Sequence, residues 1–77
     1  MARSSHPDKA LAAVVRRLRE ERGITREALA FHAGITTGSL ARVELARSTP
    51  GWDTVRSIAK ALDVPLADLG AAVEAEG

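Results

Sequence analysis

Residues 23–44, GITREALAFHAGITTGSLARVE, constrain the fold more than any other stretch of this chain. Thr25 is placed to cap a short helix, because its hydroxyl can accept a hydrogen bond from a backbone N–H that the first turn leaves unpaired. Gly34 is expected to end that helix in the left-handed conformation, which glycine adopts without steric cost. Thr36 can then cap a second helix. The stretch therefore predicts two short helices joined by a tight turn.

The second helix of this pair is predicted over residues 37–45, with two unlike faces. Leu40, Val43 and, unexpectedly, Glu44 form its inward face. Small residues and one arginine form the outward face: Thr37, Gly38, Ala41, Arg42 and Leu45. A helix with a small, uncharged N-terminal face and one forked donor can enter the major groove of DNA. Phosphates would approach the N-termini of both helices. This is a helix-turn-helix arrangement, with the second helix as the reader.

Apolar periodicity predicts three further helices, so the fold class is all-α with five helices. Helix 1 is predicted over residues 8–22, helix 4 over residues 52–62 and helix 5 over residues 66–73. Trp52 keeps the spacing of the helix 4 stripe and is expected in the core or at its edge. We expect one domain at residues 8–73, a flexible arm at residues 1–7 and a frayed tail at residues 74–77.

Two charged residues fall on or beside apolar stripes. Arg19 flanks the inward face of helix 1, and Glu44 lies in that of helix 3. Each would be costly to bury alone, but a forked arginine–carboxylate contact would satisfy both. We therefore predict a structural ion pair between Arg19 and Glu44.

The chain resembles a known family in five segments that occur in the same order. These are LR..RGIT at residues 18–25, LA with AGIT at 29–36, Leu40 with Glu44, Pro50 with Asp53 and Thr54, and IAKALDV with L..L at 58–69. They are similar to the phage-repressor and Cro (Xre-type) helix-turn-helix family. The resemblance covers residues 10–70 and implies a lambda-repressor-like DNA-binding domain with helices 2 and 3 as the helix-turn-helix.

The resemblance also implies roles for individual residues. Bases would be read from Thr37, Gly38 and Arg42, and phosphates would be touched by Thr25, Thr36 and Ser39. Arg26 stands where the family commonly has a phosphate-binding glutamine, and keeps the donor role with added charge. Gly38 departs from the family pattern, because glycine has no side chain with which to read a base.

The loop after helix 3 adds two points. Arg47 is well placed for a phosphate, with a solvated loop arginine as the alternative. Ala46 stands where the family usually has a glycine in the left-handed conformation, which costs alanine about 1 to 2 kcal/mol. Either the helix ends differently here or the loop is looser.

Composition limits the alternatives. Residues 1–47 carry a net charge of +4 and residues 48–77 carry −3, which would present a basic end to an anionic polymer. Cysteine is absent, no apolar run is long enough to cross a membrane, and neither histidine has a neighbour at metal-ligand spacing. We expect a cytoplasmic protein that is not an enzyme and has no metal or cofactor, since no catalytic constellation occurs.

The sequence favours a sequence-specific regulator of transcription, a repressor, that binds double-stranded DNA. The resemblance implies that it binds near-palindromic DNA as a homodimer. Leu66, Leu69 and Val73 are the apolar residues available for the dimer surface. Two alternatives remain: an antitoxin that masks a toxin, and an adaptor that retains the fold without binding DNA. The antitoxin would use Phe31 or the acidic C-terminal part as its protein-binding surface, although partial burial is the more expected state of Phe31. The adaptor is suggested by Gly38 and by the near-neutral net charge of +1.

Overall fold

The computed structural model describes residues 8–76, which form five α-helices and no strand. The predicted fold class is confirmed. The predicted arm, residues 1–7, lies outside the described residues. The helices are α1 (Lys9–Glu21), α2 (Arg26–Ala33), α3 (Thr37–Glu44), α4 (Trp52–Ala61) and α5 (Leu66–Glu76). None of them is both long and apolar enough to cross a membrane.

Short polar side chains cap the first three helices. Asp8, Thr25 and Thr36 each accept a hydrogen bond at 3.0 Å from the backbone N–H three residues later. Each cap satisfies one donor that the first helical turn cannot pair. The predicted starts of α2 and α3 are confirmed, and α1 starts one residue later than predicted because Asp8 is its cap.

The turn between α2 and α3 has the left-handed glycine that the sequence predicts. Gly34 has a φ of +73°, and the Ile35 N–H donates to the carbonyl of Ala30 at 3.0 Å. This contact pairs a carbonyl that the end of the helix leaves free. The two N-caps, Thr25 and Thr36, and the C-cap Gly34 thus define where α2 and α3 begin and where α2 ends.

The end of α3 repeats this closure without glycine. Ala46 has a φ of +56°, and the N–H of Arg47 donates to the carbonyl of Arg42 at 2.7 Å. Of the two predicted outcomes, the usual left-handed closure is retained. Alanine bears its steric cost of about 1 to 2 kcal/mol.

The core has two adjoining parts. The larger lies beneath the α2–α3 pair and contains residues of α1 to α4 and the α4 C-cap: Val15, Leu29, Ala30, Ala33, Leu40, Val43, Ile58 and Leu62. The smaller joins Val14 and Ala59 to Leu69 of α5. Leu40 and Val43 are three residues apart and are both buried, so they determine which face of α3 is exposed to solvent.

Helix α5 differs from the sequence prediction in two ways. Leu69 is only 1% exposed, and Leu66 and Val73 pack against the same small cluster, so the stripe predicted as a dimer surface is largely used within the monomer. The helix also continues to Glu76, three residues beyond its predicted end. Good helix formers continue the pattern, and the side chain of Glu76 accepts a hydrogen bond from Arg17 at 3.1 Å.

Two aromatic side chains are more exposed than the sequence predicts. Trp52 is 64% exposed, because it is the first residue of α4 and its side chain lies beyond the end of the packed stripe. Phe31 is 81% exposed, since Leu29, Ala30 and Ala33 already occupy the buried face of α2. The Phe31 ring meets His32 edge-to-face, with centroids 5.6 Å apart.

Candidate nucleic-acid interface

The two faces of α3 are sharply divided. Leu40, Val43 and Glu44 are buried, with Glu44 only 2% exposed. Thr37, Gly38 and Arg42 are exposed on the opposite side. The exposed surface has one long cationic side chain among small uncharged groups, which is a shape and a donor set that the major groove can accept.

A line of three hydrogen-bonding side chains runs along the exposed side of α3. Thr36 Oγ1 accepts from the Ser39 backbone N–H, and its hydroxyl donates to Ser39 Oγ at 2.9 Å. Arg42 Nη2 donates to the same Ser39 Oγ at 3.2 Å. The residues are three apart, so successive turns bring them together. The sequence assigned Thr36 and Ser39 to phosphate contact and did not anticipate this link to Arg42.

Gly38 leaves room beside this line. A Cβ added at Gly38 would lie 3.8 Å from Arg42 Nη1, an ordinary van der Waals distance, and Gly38 does not have a positive φ. Neither backbone conformation nor close contact therefore requires glycine here. The surface of α3 between Thr37 and Arg42 therefore has no protruding side chain at position 38.

Glu44 lies at the junction of three helices. Its carboxylate accepts from Arg19 Nε at 2.7 Å and from Arg19 Nη2 at 3.1 Å, the forked contact predicted from the sequence. Arg19 Nη1 also donates to the carbonyl of Ile24 at 3.0 Å. No buried side-chain polar atom among the described residues lacks a hydrogen-bond partner. The buried charge is thus fully satisfied, as a buried ion pair requires.

Arg26 is the third member of this cluster. The sequence predicted a phosphate contact for it and did not predict its contact with Glu44. Its Nε donates to Glu44 Oε1 at 3.2 Å, and its side chain is 33% exposed. Within the part of the chain that the structure describes, Nε is the only Arg26 nitrogen that forms a hydrogen bond. The two terminal nitrogens are therefore free to reach a phosphate while Nε stays fixed. No spacing signal could have revealed the contact, because packing of α2 on α3 creates it.

The hydrogen bond to Glu44 raises the pKa of the Arg19 guanidinium above its ordinary value. A raised pKa in the folded state means that the contribution to stability is present below the unfolded-state pKa and is lost as pH rises through the folded-state value. For arginine both values lie far above neutrality. Deprotonation of Arg19 therefore does not weaken the cluster at physiological pH.

The remaining predicted residues lie at exposed positions. Thr25 is exposed at the start of α2, and Arg47 is exposed after α3. His32 is also exposed, and no group of three or more potential metal ligands occurs among residues 8–76. The base-reading and phosphate-binding residues named from the sequence are therefore exposed or partly exposed, although Arg26 Nε, Arg42 Nη2 and the Thr36 hydroxyl already form hydrogen bonds within the protein.

Known proteins share this architecture. The structure is similar to ClgR, the clp gene regulator of Corynebacterium glutamicum, at 26% identity over 88% of each chain with a TM-score of 0.82. It is also similar to the restriction-modification controller protein C.AhdI from Aeromonas hydrophila, at 26% identity over 79% of this chain and 92% of that chain, with a TM-score of 0.76.

The wild-type restriction-modification controller protein C.Esp1396I is 20% identical over 95% of this chain and 94% of its own, with a TM-score of 0.86, and shows the shared fold. A search of curated proteins found no match. A family model described as a helix-turn-helix domain matches residues 10–72, which is most of the sequence. The chain is a member of this helix-turn-helix domain family.

Proposed function

We propose that this protein is a sequence-specific, double-stranded DNA-binding regulator of transcription that inserts α3 into the major groove. One observation carries the proposal: Thr37 and Arg42 are exposed on the face of α3 opposite the buried Leu40 and Val43. The similarity to ClgR, a clp gene regulator, and to C.AhdI, a restriction-modification controller protein, supports the same function.

Arg42 has the main role in base recognition in this proposal. Arginine pairs with guanine through two parallel hydrogen bonds to O6 and N7, a contact worth about 1 to 3 kcal/mol of discrimination. Thr37 can add a hydrogen bond or a methyl contact at the start of the helix. Gly38 has no side chain to contact a base and only allows the backbone of α3 to approach the bases closely. We therefore expect few base contacts.

Phosphate contacts fix the orientation of α3 in the groove. We propose that Thr25 and Arg26 at the start of α2, Thr36 and Ser39 at the start of α3, and Arg47 after it make them. Helix N-termini favour anions because their backbone N–H groups are unpaired and the helix dipole is positive there. The two arginines supply the salt-dependent part of the binding free energy.

A single domain of this size covers about half of an operator, so we propose a homodimer on a near-palindromic site with half-sites one helical turn apart. Repression by occupying a promoter is the simplest outcome of such binding. With DNA as the target, the protein would act in the cytoplasm.

A second role, as the DNA-binding antitoxin of a toxin pair or as an adaptor, is favoured by one specific observation. Phe31 is 81% exposed on α2, so its ring would bury apolar area in a contact with another protein. The acidic C-terminal part is the other candidate surface. If Phe31→Ala altered neither regulation in cells nor any protein contact, Phe31 would be excluded as the protein-binding surface.

Selection of bound sequences from a random DNA pool tests the main proposal. We expect an enriched site with two-fold symmetry, and a complex whose measured mass corresponds to two protein chains per duplex. Enrichment of no sequence, together with no salt-dependent binding to any duplex, would contradict it and would favour the adaptor.

A further inference from the structure

We infer that Ser39 is a positioning residue that holds the Arg42 guanidinium for base recognition. The inference rests on the proposed function and deepens it, because it names a residue that sets the specificity of the same surface. Ser39 was expected to act only on phosphate. Its contacts connect it to the base-reading side chain as well.

The geometry of the Ser39 hydroxyl supports this role. A hydroxyl has two acceptor positions and one donor hydrogen. Ser39 Oγ accepts from Thr36 Oγ1 at 2.9 Å and from Arg42 Nη2 at 3.2 Å, so both acceptor positions are in use. Thr36 Oγ1 is itself fixed by the Ser39 backbone N–H at 3.0 Å. The hydroxyl is therefore oriented by the helix cap and can restrain Arg42.

The restraint leaves Arg42 able to bind a base. The guanidinium has five N–H donors, and a bidentate contact with guanine uses two of them. Within residues 8–76, only Nη2 of Arg42 forms a hydrogen bond, and only one of its two hydrogens is used. Gly38 places no side chain beside Nη1, whose closest approach is 3.8 Å to where a Cβ would lie. The remaining donors form no hydrogen bond within the described residues, and Arg42 is exposed.

Fixing a flexible side chain before binding lowers the entropy cost of the complex. The benefit applies only where Arg42 makes its specific contact, so it appears as sequence preference. A phosphate contact by Ser39 would behave differently, because it would strengthen binding to every sequence by the same factor.

The base pair read by Arg42 is first identified as the one at which Arg42→Ala loses selectivity. The affinity of each variant is then measured for the selected site and for sites changed at that base pair, and the ratio of the two affinities is the preference. Ser39→Ala is expected to lower the preference for the selected base by about 3- to 10-fold, the range that corresponds to one immobilised side chain. Ser39→Thr, which keeps the hydroxyl, should restore it. Ser39→Ala added to Arg42→Ala should cause no further loss of preference.

Ser57→Ala is the matched control, since it removes a hydroxyl of similar burial from α4. It should leave the preference unchanged. In the protein without DNA, the NMR order parameter of the Arg42 Nε–H should fall in Ser39→Ala and stay unchanged in Ser57→Ala.

Three results would overturn the inference. In two of them the wild type binds selectively: Ser39→Ala weakens all sites equally, or it strengthens selectivity because Ser39 competes with the base for Arg42. Both leave the proposed function intact. In the third, the wild type shows no selective DNA binding, and the inference falls together with the proposed function.

Discussion

Replacing Glu44 by alanine is expected to be among the most destabilising single changes in this protein. The Glu44 side chain has no exposed area and accepts three hydrogen bonds from two arginines. Glu44→Ala would leave the charge of Arg19, whose side chain is only 12% exposed, with one hydrogen-bond acceptor, the carbonyl of Ile24, and with the exposed Glu20 carboxylate 4.0 Å away. Stranding a buried charge costs about 3 to 5 kcal/mol.

The size of this loss can be set against the whole stability. At about 0.05 to 0.15 kcal/mol per residue, a chain of 77 residues is stabilised by roughly 4 to 12 kcal/mol. Glu44→Ala would therefore remove a large fraction of it. Since 1 kcal/mol corresponds to about 4 to 8 °C in a domain of this size, the Tm should fall by at least about 12 °C.

Urea unfolding followed by far-UV circular dichroism measures the effect, with Glu20→Ala as the matched control. Glu20 is also within 4.0 Å of Arg19, but its side chain is 63% exposed. The same substitution there should change stability by no more than about 0.5 kcal/mol. Equal losses for the two variants would refute the claim that burial makes the Glu44 contact important.

A double variant separates the charge from the space it fills. Arg19→Met combined with Glu44→Leu removes both buried charges and replaces their volume, and such exchanges are often neutral or stabilising. Arg26 can turn to solvent in this variant, because a third of its side chain is already exposed. The double variant should therefore be more stable than Glu44→Ala. If it were less stable, the loss could not be assigned to a stranded charge.

Three further outcomes are expected. Arg42→Ala should abolish about 1 to 3 kcal/mol of discrimination at one base pair of each half-site while the fold is retained, as measured by binding to single-base variants of the selected site; unchanged selectivity would reject Arg42 as the reader. Arg26→Ala should weaken binding to all sequences and reduce the slope of log K against log salt by about 1, and should also lower the Tm because it removes a Glu44 contact; an unaltered slope would exclude a phosphate contact. Ala46→Gly should raise the Tm, since it relieves about 1 to 2 kcal/mol of left-handed strain at an entropic cost of about 0.5 to 1 kcal/mol; a lower Tm would mean that the strain is negligible.

The local structure of the α2–α3 pair could be predicted from the sequence because its determinants are local. Thr25 and Thr36 cap the residues beside them, and Gly34 ends the helix that contains its neighbours. The Arg19–Glu44 contact could also be predicted, because a charged residue on or beside an apolar stripe needs a partner and these two residues can satisfy each other.

The features that sequence could not provide depend on which surfaces meet in three dimensions. Periodicity placed Leu69 on an apolar stripe, but could not tell whether that stripe packs inside the monomer or against a second copy. Periodicity also placed Trp52 in line with the apolar stripe of α4, although the core does not extend as far as the first turn of that helix. The Arg26–Glu44 and Ser39–Arg42 contacts depend on side-chain directions that spacing does not determine.

Chemical protection of guanine N7 can show whether the Arg42 face of α3 enters the major groove as proposed, because N7 is reached only from that groove. On the selected duplex, the wild-type protein should protect specific guanines from methylation, and Arg42→Ala should lose protection at one guanine in each half-site. Binding that leaves every N7 as reactive as in free DNA, or a pattern that Arg42→Ala does not change, would contradict the account.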